Sequence, residues 1–172
     1  MRSALAIAFT TAALLGCQSA PEDAPRATAG LKPLANSKVI GEATFDQVGG
    51  RVRLVAYVQG LKPGAEHGFH IHEVGDCNSP DGMSAKGHFN PFGKPHGHPG
   101  SAERHAGDLP ALKADKSGRA KVDVELDVIT VTPGPASIVG RGLIVHADPD
   151  DYKTQPTGNA GARLACGVIQ PN

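Results

Sequence analysis

The chain has 172 residues, of which 40% are hydrophobic and 20% charged, enough for one packed domain. Its 17 Lys and Arg residues balance its 17 Asp and Glu residues, so the charge gives no support for nucleic-acid binding or a polybasic membrane surface. It contains 22 glycines, 14 prolines and no tryptophan, a composition that favours a turn-rich β protein over a helical one.

The first seventeen residues are typical of an export signal rather than of a folded segment. Arg2 supplies a positive charge, and residues 4–15 form an apolar run too short for a permanent transmembrane helix. The run ends in Leu-Leu-Gly-Cys at Cys17, which resembles a bacterial lipoprotein processing site. We therefore predict a signal peptide over residues 1–16 and a lipid on Cys17. The alternative is ordinary secretion with cleavage nearby.

Both interpretations place the domain outside the cytoplasm. Because Gln18 rather than aspartate follows the cysteine, we expect the protein on the periplasmic side of the cell envelope, with its lipid anchor in the outer membrane. Residues 17–36 are rich in alanine and proline and show no hydrophobic period, so they are predicted to be the lipid anchor and a linker. The folded domain is then expected to cover residues 37–172.

Strand patterns begin after the predicted linker. Apolar residues alternate with other residues in three segments, and two further segments are more continuously apolar; in chain order they are 39–45, 52–58, 121–127, 137–146 and 162–170. Turn residues lie at Gly49-Gly50 and at 115–118. No amphipathic helix of useful length is evident. The fold class predicted from these patterns is all-β and antiparallel, as a sandwich or a barrel.

Two long segments lack any strand pattern. Residues 74–110 include seven glycines and five prolines, and residues 147–161 form the other segment. Loops this long are usually functional or disordered, and ordering them costs conformational entropy. The first segment contains Cys77 and four histidines, so a disulfide and metal ions are the ties expected to order it.

The three cysteines are consistent with an oxidising compartment. If Cys17 carries a lipid, Cys77 and Cys166 remain. Outside the cytoplasm such a pair predicts one disulfide. The alternative is two buried thiols.

Seven of the eight histidines lie between residues 67 and 105. His70 and His72 stand two apart in a strand-like run, so both imidazoles face the same side and can reach one metal. His146 ends another apolar run. His67 is expected to be a hydrogen-bonded residue beside the site, and His98 a solvated loop residue.

A second set of candidate ligands lies in the first long loop. Three imidazoles and one carboxylate suit tetrahedral zinc, and this set comprises His88, His96, His105 and Asp108. Four imidazoles in a flattened arrangement suit Cu(II). Six well-placed histidines must fill seven imidazole positions, so one has to bridge two metals. His88 is the candidate, because it opens the loop set.

Four motifs together resemble the copper/zinc superoxide dismutase family, in the family's order and from about residue 37 to 170. They are Gly68-Phe69-His70-Ile71-His72-Glu73, Gly87-His88-Phe89-Asn90-Pro91, Arg104-His105-Ala106-Gly107-Asp108 and the run from Gly158 to Ile169. The resemblance implies an eight-stranded antiparallel Greek-key β-barrel with two long active-site loops. It also implies dismutation of superoxide to oxygen and hydrogen peroxide. The alternative function is a non-catalytic copper/zinc binding or delivery domain.

The resemblance further implies a role for each motif residue. Copper is expected on His70, His72, His88 and His146. Zinc is expected on His88, His96, His105 and Asp108, with His88 as the bridge. Asp150 is expected to link the imidazoles of His70 and His96, Arg163 to guide the superoxide anion, and Cys77 to pair with Cys166. A homodimer is expected, but its surface stays open because the motifs mix bacterial and eukaryotic features.

Overall fold

The computed structural model describes residues 24–172. Its regular elements are β1 (Arg26–Pro33), β2 (Ile40–Val48), β3 (Arg51–Gln59), β4 (Glu66–His67), β5 (Phe69–His72), a 3-10 turn (Met83–Ala85), β6 (Leu112–Lys113), β7 (Arg119–Leu126), β8 (Gly142–His146), β9 (Arg163–Val168) and β10 (Gln170–Pro171). Within residues 24–172, no helix has the length and apolar character needed to cross a membrane.

Every strand pair is antiparallel, as the sequence predicts. The main sheet runs in the order β5-β8-β9-β1-β2-β3-β7, with β10 paired to β1. The chain therefore crosses from β3 to the far end at β5, returns to β7, and crosses again to β8. A small ladder of β4 and β6 links the two ends of the sheet, because β4 leads into β5 and β6 leads into β7. The curled sheet agrees with the expected all-β barrel.

Alternation explains how the strands build the core. In β3, Val52, Leu54, Ala56 and Val58 point inward and are at most 2% exposed. The β2–β3 hairpin turns at Gly49 and Gly50, and Gly49 has a φ of +58°, where glycine has no steric cost. This hairpin and the turn at residues 115–118 confirm two sequence predictions.

The linker prediction is wrong for residues 26–33. These residues form β1, which pairs with β2, β9 and β10 near the middle of the sheet. Ala27, Ala29 and Leu31 are nearly completely buried and alternate with outward-facing residues. Alanine and glycine carry little hydrophobic signal, so the sequence pattern does not reveal the period of two. The domain therefore begins well before residue 37.

One other predicted strand is shorter than expected. Only Gly142–His146 of the segment 137–146 is a strand, because Ser137 to Arg141 form turns, with Gly140 at a φ of +81°. Residues 74–110 contain no long strand, and neither do residues 147–161, as predicted.

The predicted signal peptide and lipid site, residues 1–17, lie outside the described residues.

Candidate metal centre

Strand β5 anchors the first long loop along its outer edge, since it is the last strand of the sheet. The Ile71 amide donates to Gly107 O at 2.9 Å, and Phe89 donates to Ile71 O at 2.8 Å. Gly107 must be glycine here, because a Cβ would lie 2.2 Å from Ile71 O. These bonds bring His88 and Asp108 beside β5, where they form isolated bridges to His72 and His70.

The four imidazoles that the sequence assigns to copper lie together. One ring nitrogen from each lies within 4.8 Å of the others, and all four side chains are buried; the residues are His70, His72, His88 and His146. Antiparallel pairing of β5 with β8 and a contact with the loop assemble this set. We define these four residues as the first cluster.

Hydrogen bonds decide which nitrogen each imidazole of the first cluster presents. His72 donates through Nδ1 to Lys86 O at 2.8 Å, and His146 donates through Nδ1 to Gly161 O at 3.3 Å. Their Nε2 lone pairs therefore face each other at 3.3 Å. Two acceptors at this distance repel unless a cation lies between them, so the geometry fits a bound metal ion.

Two buried nitrogens of the first cluster lack any hydrogen-bond partner among residues 24–172. They are His70 Nδ1 and His88 Nε2. Buried polar atoms are normally paired, because an unpaired one has a substantial desolvation cost. A metal ion would use both lone pairs, and we therefore regard the two atoms as ligand positions.

A second cluster consists of the residues that the sequence assigns to zinc. One donor atom from each lies within 4.8 Å of the others, and all are buried; the residues are His88, His96, His105 and Asp108. Asp108 Oδ1 lies 2.9 Å from His88 Nδ1 and 3.0 Å from His96 Nδ1. His88 presents Nδ1 to this cluster and Nε2 to the first, so a single ring lies between the two.

The carboxylates of Asp108 and Asp150 orient these rings. Asp108 Oδ2 accepts the backbone amides of Gly97 and His105, which leaves Oδ1 facing the imidazoles. Asp150 accepts His70 Nε2 at 2.6 Å and His96 Nε2 at 2.9 Å. Asp150 therefore ties one ring of each cluster, and such partners fix the orientation of metal-binding imidazoles.

The protonation states of most groups in the site favour metal binding. Burial and neighbouring imidazoles lower the pKa of His146 to about 3. Burial, opposed in part by Asp108, lowers the pKa of His88 to about 4. Although burial raises the pKa of Asp108, hydrogen bonds from the surrounding histidines hold it far below its usual range. Neutral imidazoles beside an ionised carboxylate are the protonation states that a divalent cation requires.

His96 differs from the other rings because two carboxylates contact it. Although burial lowers its pKa, the hydrogen bonds to Asp108 and Asp150 raise the pKa of His96 to about 9. Without metal, both nitrogens of this ring are therefore protonated, and the ring is positively charged between the two carboxylates. A cation at Nδ1 replaces the charge of that proton.

Arg163 lies beside the first cluster at the start of β9. Its guanidinium donates to Gly82 O and to Lys86 O, both at 2.5 Å. Lys86 O also accepts His72 Nδ1, so one carbonyl joins the arginine to a first-cluster imidazole. Burial, then neighbouring imidazoles and the Arg163 charge, lower the pKa of His72. The guanidinium is therefore close enough to act on the site electrostatically.

The predicted disulfide is confirmed. Cys77 and Cys166 are bonded, with Cα atoms 5.7 Å apart, which ties the first long loop to β9. His67 is 1% exposed and donates through Nδ1 to His146 O at 2.8 Å, so it is buried and hydrogen-bonded beside the site as expected. His98 is exposed, but its ring contacts Tyr152 at a centroid distance of 4.9 Å.

The sequence interpretation missed Gln155 and the carbonyl of Lys86. Gln155 accepts the His96 amide at 2.8 Å and donates to His96 O at 2.9 Å. Lys86 has a φ of +61°, which no sequence period reveals. Gln155 joins the two long loops, whereas Lys86 O receives side-chain donors from β5 and β9. Residue type alone carries almost no signal for either kind of side-chain-to-backbone contact.

Comparison with known proteins agrees with this centre. The family model for copper/zinc superoxide dismutase matches residues 39–169. Superoxide dismutase [Cu-Zn] 2 of Aquifex aeolicus strain VF5 is 44% identical over 137 residues, covering 77% of this chain and 80% of the relative. The corresponding protein of Paramecium bursaria Chlorella virus 1 is 44% identical over 138 residues, covering 76% and 72%. The chain belongs to the copper/zinc superoxide dismutase family.

Proposed function

We propose that this protein catalyses the dismutation of superoxide to oxygen and hydrogen peroxide. Copper and zinc are the metals of the family, and the two buried clusters fit them. The observation that carries the proposal is the arrangement of unpaired imidazole nitrogens beside a half-buried arginine. Copper supplies the one-electron redox chemistry when it is bound.

We assign copper to the first cluster and zinc to the second. Four imidazole nitrogens suit Cu(II), whereas three imidazoles with one carboxylate suit zinc. His88 is proposed to bridge them, since its two ring nitrogens face different clusters. Peroxide requires two protons, and His88 Nε2 is the buried atom placed to hold one of them. Arg163 attracts and orients the superoxide anion.

One experiment tests this assignment directly. Protein lacking residues 1–17 is reconstituted with copper and zinc, and its metal content and superoxide consumption are measured together. We expect one copper and one zinc per chain and rapid consumption that stops when copper is removed. Full metal loading without consumption of superoxide would reject catalysis and leave a binding or delivery role.

The bridge has its own test. With Co(II) in the second cluster and Cu(II) in the first, a bridging imidazolate should couple the two spins and suppress the copper resonance signal. His88→Gln should restore that signal. An uncoupled copper signal in the unsubstituted protein would reject the bridge.

We also propose that the protein works outside the cytoplasm, anchored by a lipid on Cys17 and protecting against extracytoplasmic oxidative stress. The apolar run before Cys17 supports export, and a disulfide between Cys77 and Cys166 is typical of an oxidising compartment. The family resemblance supports a homodimer, which sedimentation of the purified protein would test.

The lipid anchor predicts where the protein is found. Wild-type protein should fractionate with the outer membrane, and Cys17→Ser should leave an unprocessed precursor or release soluble protein. Cell fractionation with immunoblotting measures both. Wild-type protein found wholly in the soluble periplasmic extract would contradict the anchor.

A further inference from the structure

The second long loop makes hydrogen bonds to the backbone of His96, a residue of the second cluster. The side-chain amide of Gln155 accepts the His96 N–H at 2.8 Å and donates to His96 O at 2.9 Å. Both main-chain polar groups of His96 are therefore paired by a single side chain. Neither cluster includes Gln155.

His96 depends on this contact more than the other loop residues do. Phe89 and Gly107, which flank the other ligands, bond to the backbone of Ile71 in the sheet. His96 follows Pro95 and lies in no strand, and its backbone has no ladder partner among the described residues. Its buried amide and carbonyl would be costly to leave unpaired.

The segment that carries Gln155 is itself held in place. Asp151 accepts the amides of Lys153 and Thr154, each at 2.8 Å, which closes a turn just before Gln155. Tyr152 contacts the ring of His98 and accepts the Ala111 amide through its hydroxyl at 3.2 Å. Gln155 therefore reaches His96 from a preorganised turn rather than from a free loop end.

We propose that Gln155 is a positioning residue for the second cluster, acting through the backbone of His96. Asp150 orients the His96 ring from the same loop, and Gln155 fixes the main chain behind that ring. The inference rests on the proposed function in taking zinc as the metal of this cluster. Groups outside the ligand shell that orient ligands change metal affinity about 10- to 100-fold.

The test is zinc release from protein loaded with copper and zinc, followed with a chromogenic chelator. Gln155→Met keeps the length and removes both hydrogen bonds to His96, together with a longer one to Lys153 O at 3.3 Å. Gln155→Glu keeps an acceptor but places a carboxylate against His96 O. We expect both to weaken zinc affinity about tenfold or more.

Gln47→Met is the matched control. The Gln47 amide also bonds to backbone, donating to Gly49 O and Arg51 O and accepting the Val131 amide, but it lies in the β2–β3 hairpin region. It should alter the melting temperature without changing zinc release. Equal zinc release from Gln155→Met, Gln47→Met and wild type would overturn the proposal.

Amide hydrogen exchange keeps the test decisive if a variant is poorly stable. The His96 amide should be protected in the wild type and exchange rapidly in Gln155→Met, while amides of β3 stay protected. Unchanged protection of His96 in Gln155→Met would also overturn the proposal. Zinc binding and exchange are measured without activity, so a wild type that binds zinc but consumes no superoxide would reject only the proposed function.

Discussion

Arg163 has two roles. It braces the first long loop, and it places a positive charge beside the first cluster. Its bonds to Gly82 O and Lys86 O show the bracing role. Superoxide is a small anion, so charge is the main property that a pocket can use to select it. Arg163→Ile should lower the second-order rate about tenfold, equivalent to about 1.4 kcal/mol, and Arg163→Glu should lower it further. Stopped-flow measurements at several ionic strengths, with metal content determined, check this.

Arg141→Ile is the control for Arg163. Arg141 also braces the first loop, donating to Glu73 O at 2.6 Å and lying over the Phe89 ring at 4.2 Å. It should lower stability but leave the salt dependence of the rate unchanged. A fully active Arg163→Glu enzyme with normal metal content would leave Arg163 only its bracing role.

Gly158 is required by close packing against the second cluster. A Cβ at this position would lie 1.9 Å from Asp150 Oδ1 and 2.6 Å from His96 Nε2. Gly158→Ala should therefore displace both groups and weaken zinc affinity about tenfold or more. Chelator competition measures the effect.

Gly93→Ala separates this steric effect from backbone strain. Gly93 has a φ of +62°, close to the +66° of Gly158, but a Cβ there meets nothing within 4 Å. Gly93→Ala should lower the melting temperature, while its zinc affinity stays at the wild-type value. Equal zinc affinity in the two variants would refute the packing explanation.

At the scale of elements, β1 decides where the domain begins. It contributes the buried side chains of Ala27, Ala29 and Leu31 and bonds to three other strands. Burial of these side chains stabilises the fold by about 4 kcal/mol, which is a large share of the stability of a small domain. A chain starting at Ser37 should therefore show no cooperative thermal transition.

The matched comparison is a chain starting at Ala24, which keeps β1 intact. Circular dichroism melting of both chains measures the difference. Equal melting temperatures would mean that β1 adds no stability to the sheet.

At the scale of the whole molecule, metals and one disulfide connect the long loops to the sheet. The clusters draw residues from β5, β8 and the first long loop, and Asp150 of the second long loop bonds to one imidazole of each cluster. A metal that binds only the native state stabilises it by mass action. Chelation should lower the melting temperature by about 10 °C or more. Reduction of the disulfide should then leave residues 74–110 exchanging amide hydrogens rapidly.

Calorimetry and hydrogen exchange measure these two effects. The β2–β3 hairpin is the internal reference, because it lies outside both clusters and should stay protected. Equal protection of residues 74–110 with and without metal and disulfide would contradict this account of loop order.

Much of this protein can be predicted from its sequence because the relevant patterns are local. The alternation in β3 and β7 predicts two strands, which pair with each other in the sheet, and the His70–His72 spacing places two imidazoles on one face. Ligand chemistry predicts which residues belong to each cluster. β1 was missed because alanine and glycine carry too little hydrophobic contrast to reveal a period of two.

The sequence by itself determined the strand-rich fold class, the residues of both clusters and the cysteine pair, since these follow from residue type and spacing. Only the tertiary structure decided which nitrogen each histidine presents, because that depends on acceptors such as Lys86 O and Asp150 from other segments. It also decided that Gln155 holds the backbone of His96, 59 residues away. Such contacts depend on the path of two loops in space, and that path is set by packing and backbone hydrogen bonding across the whole sheet.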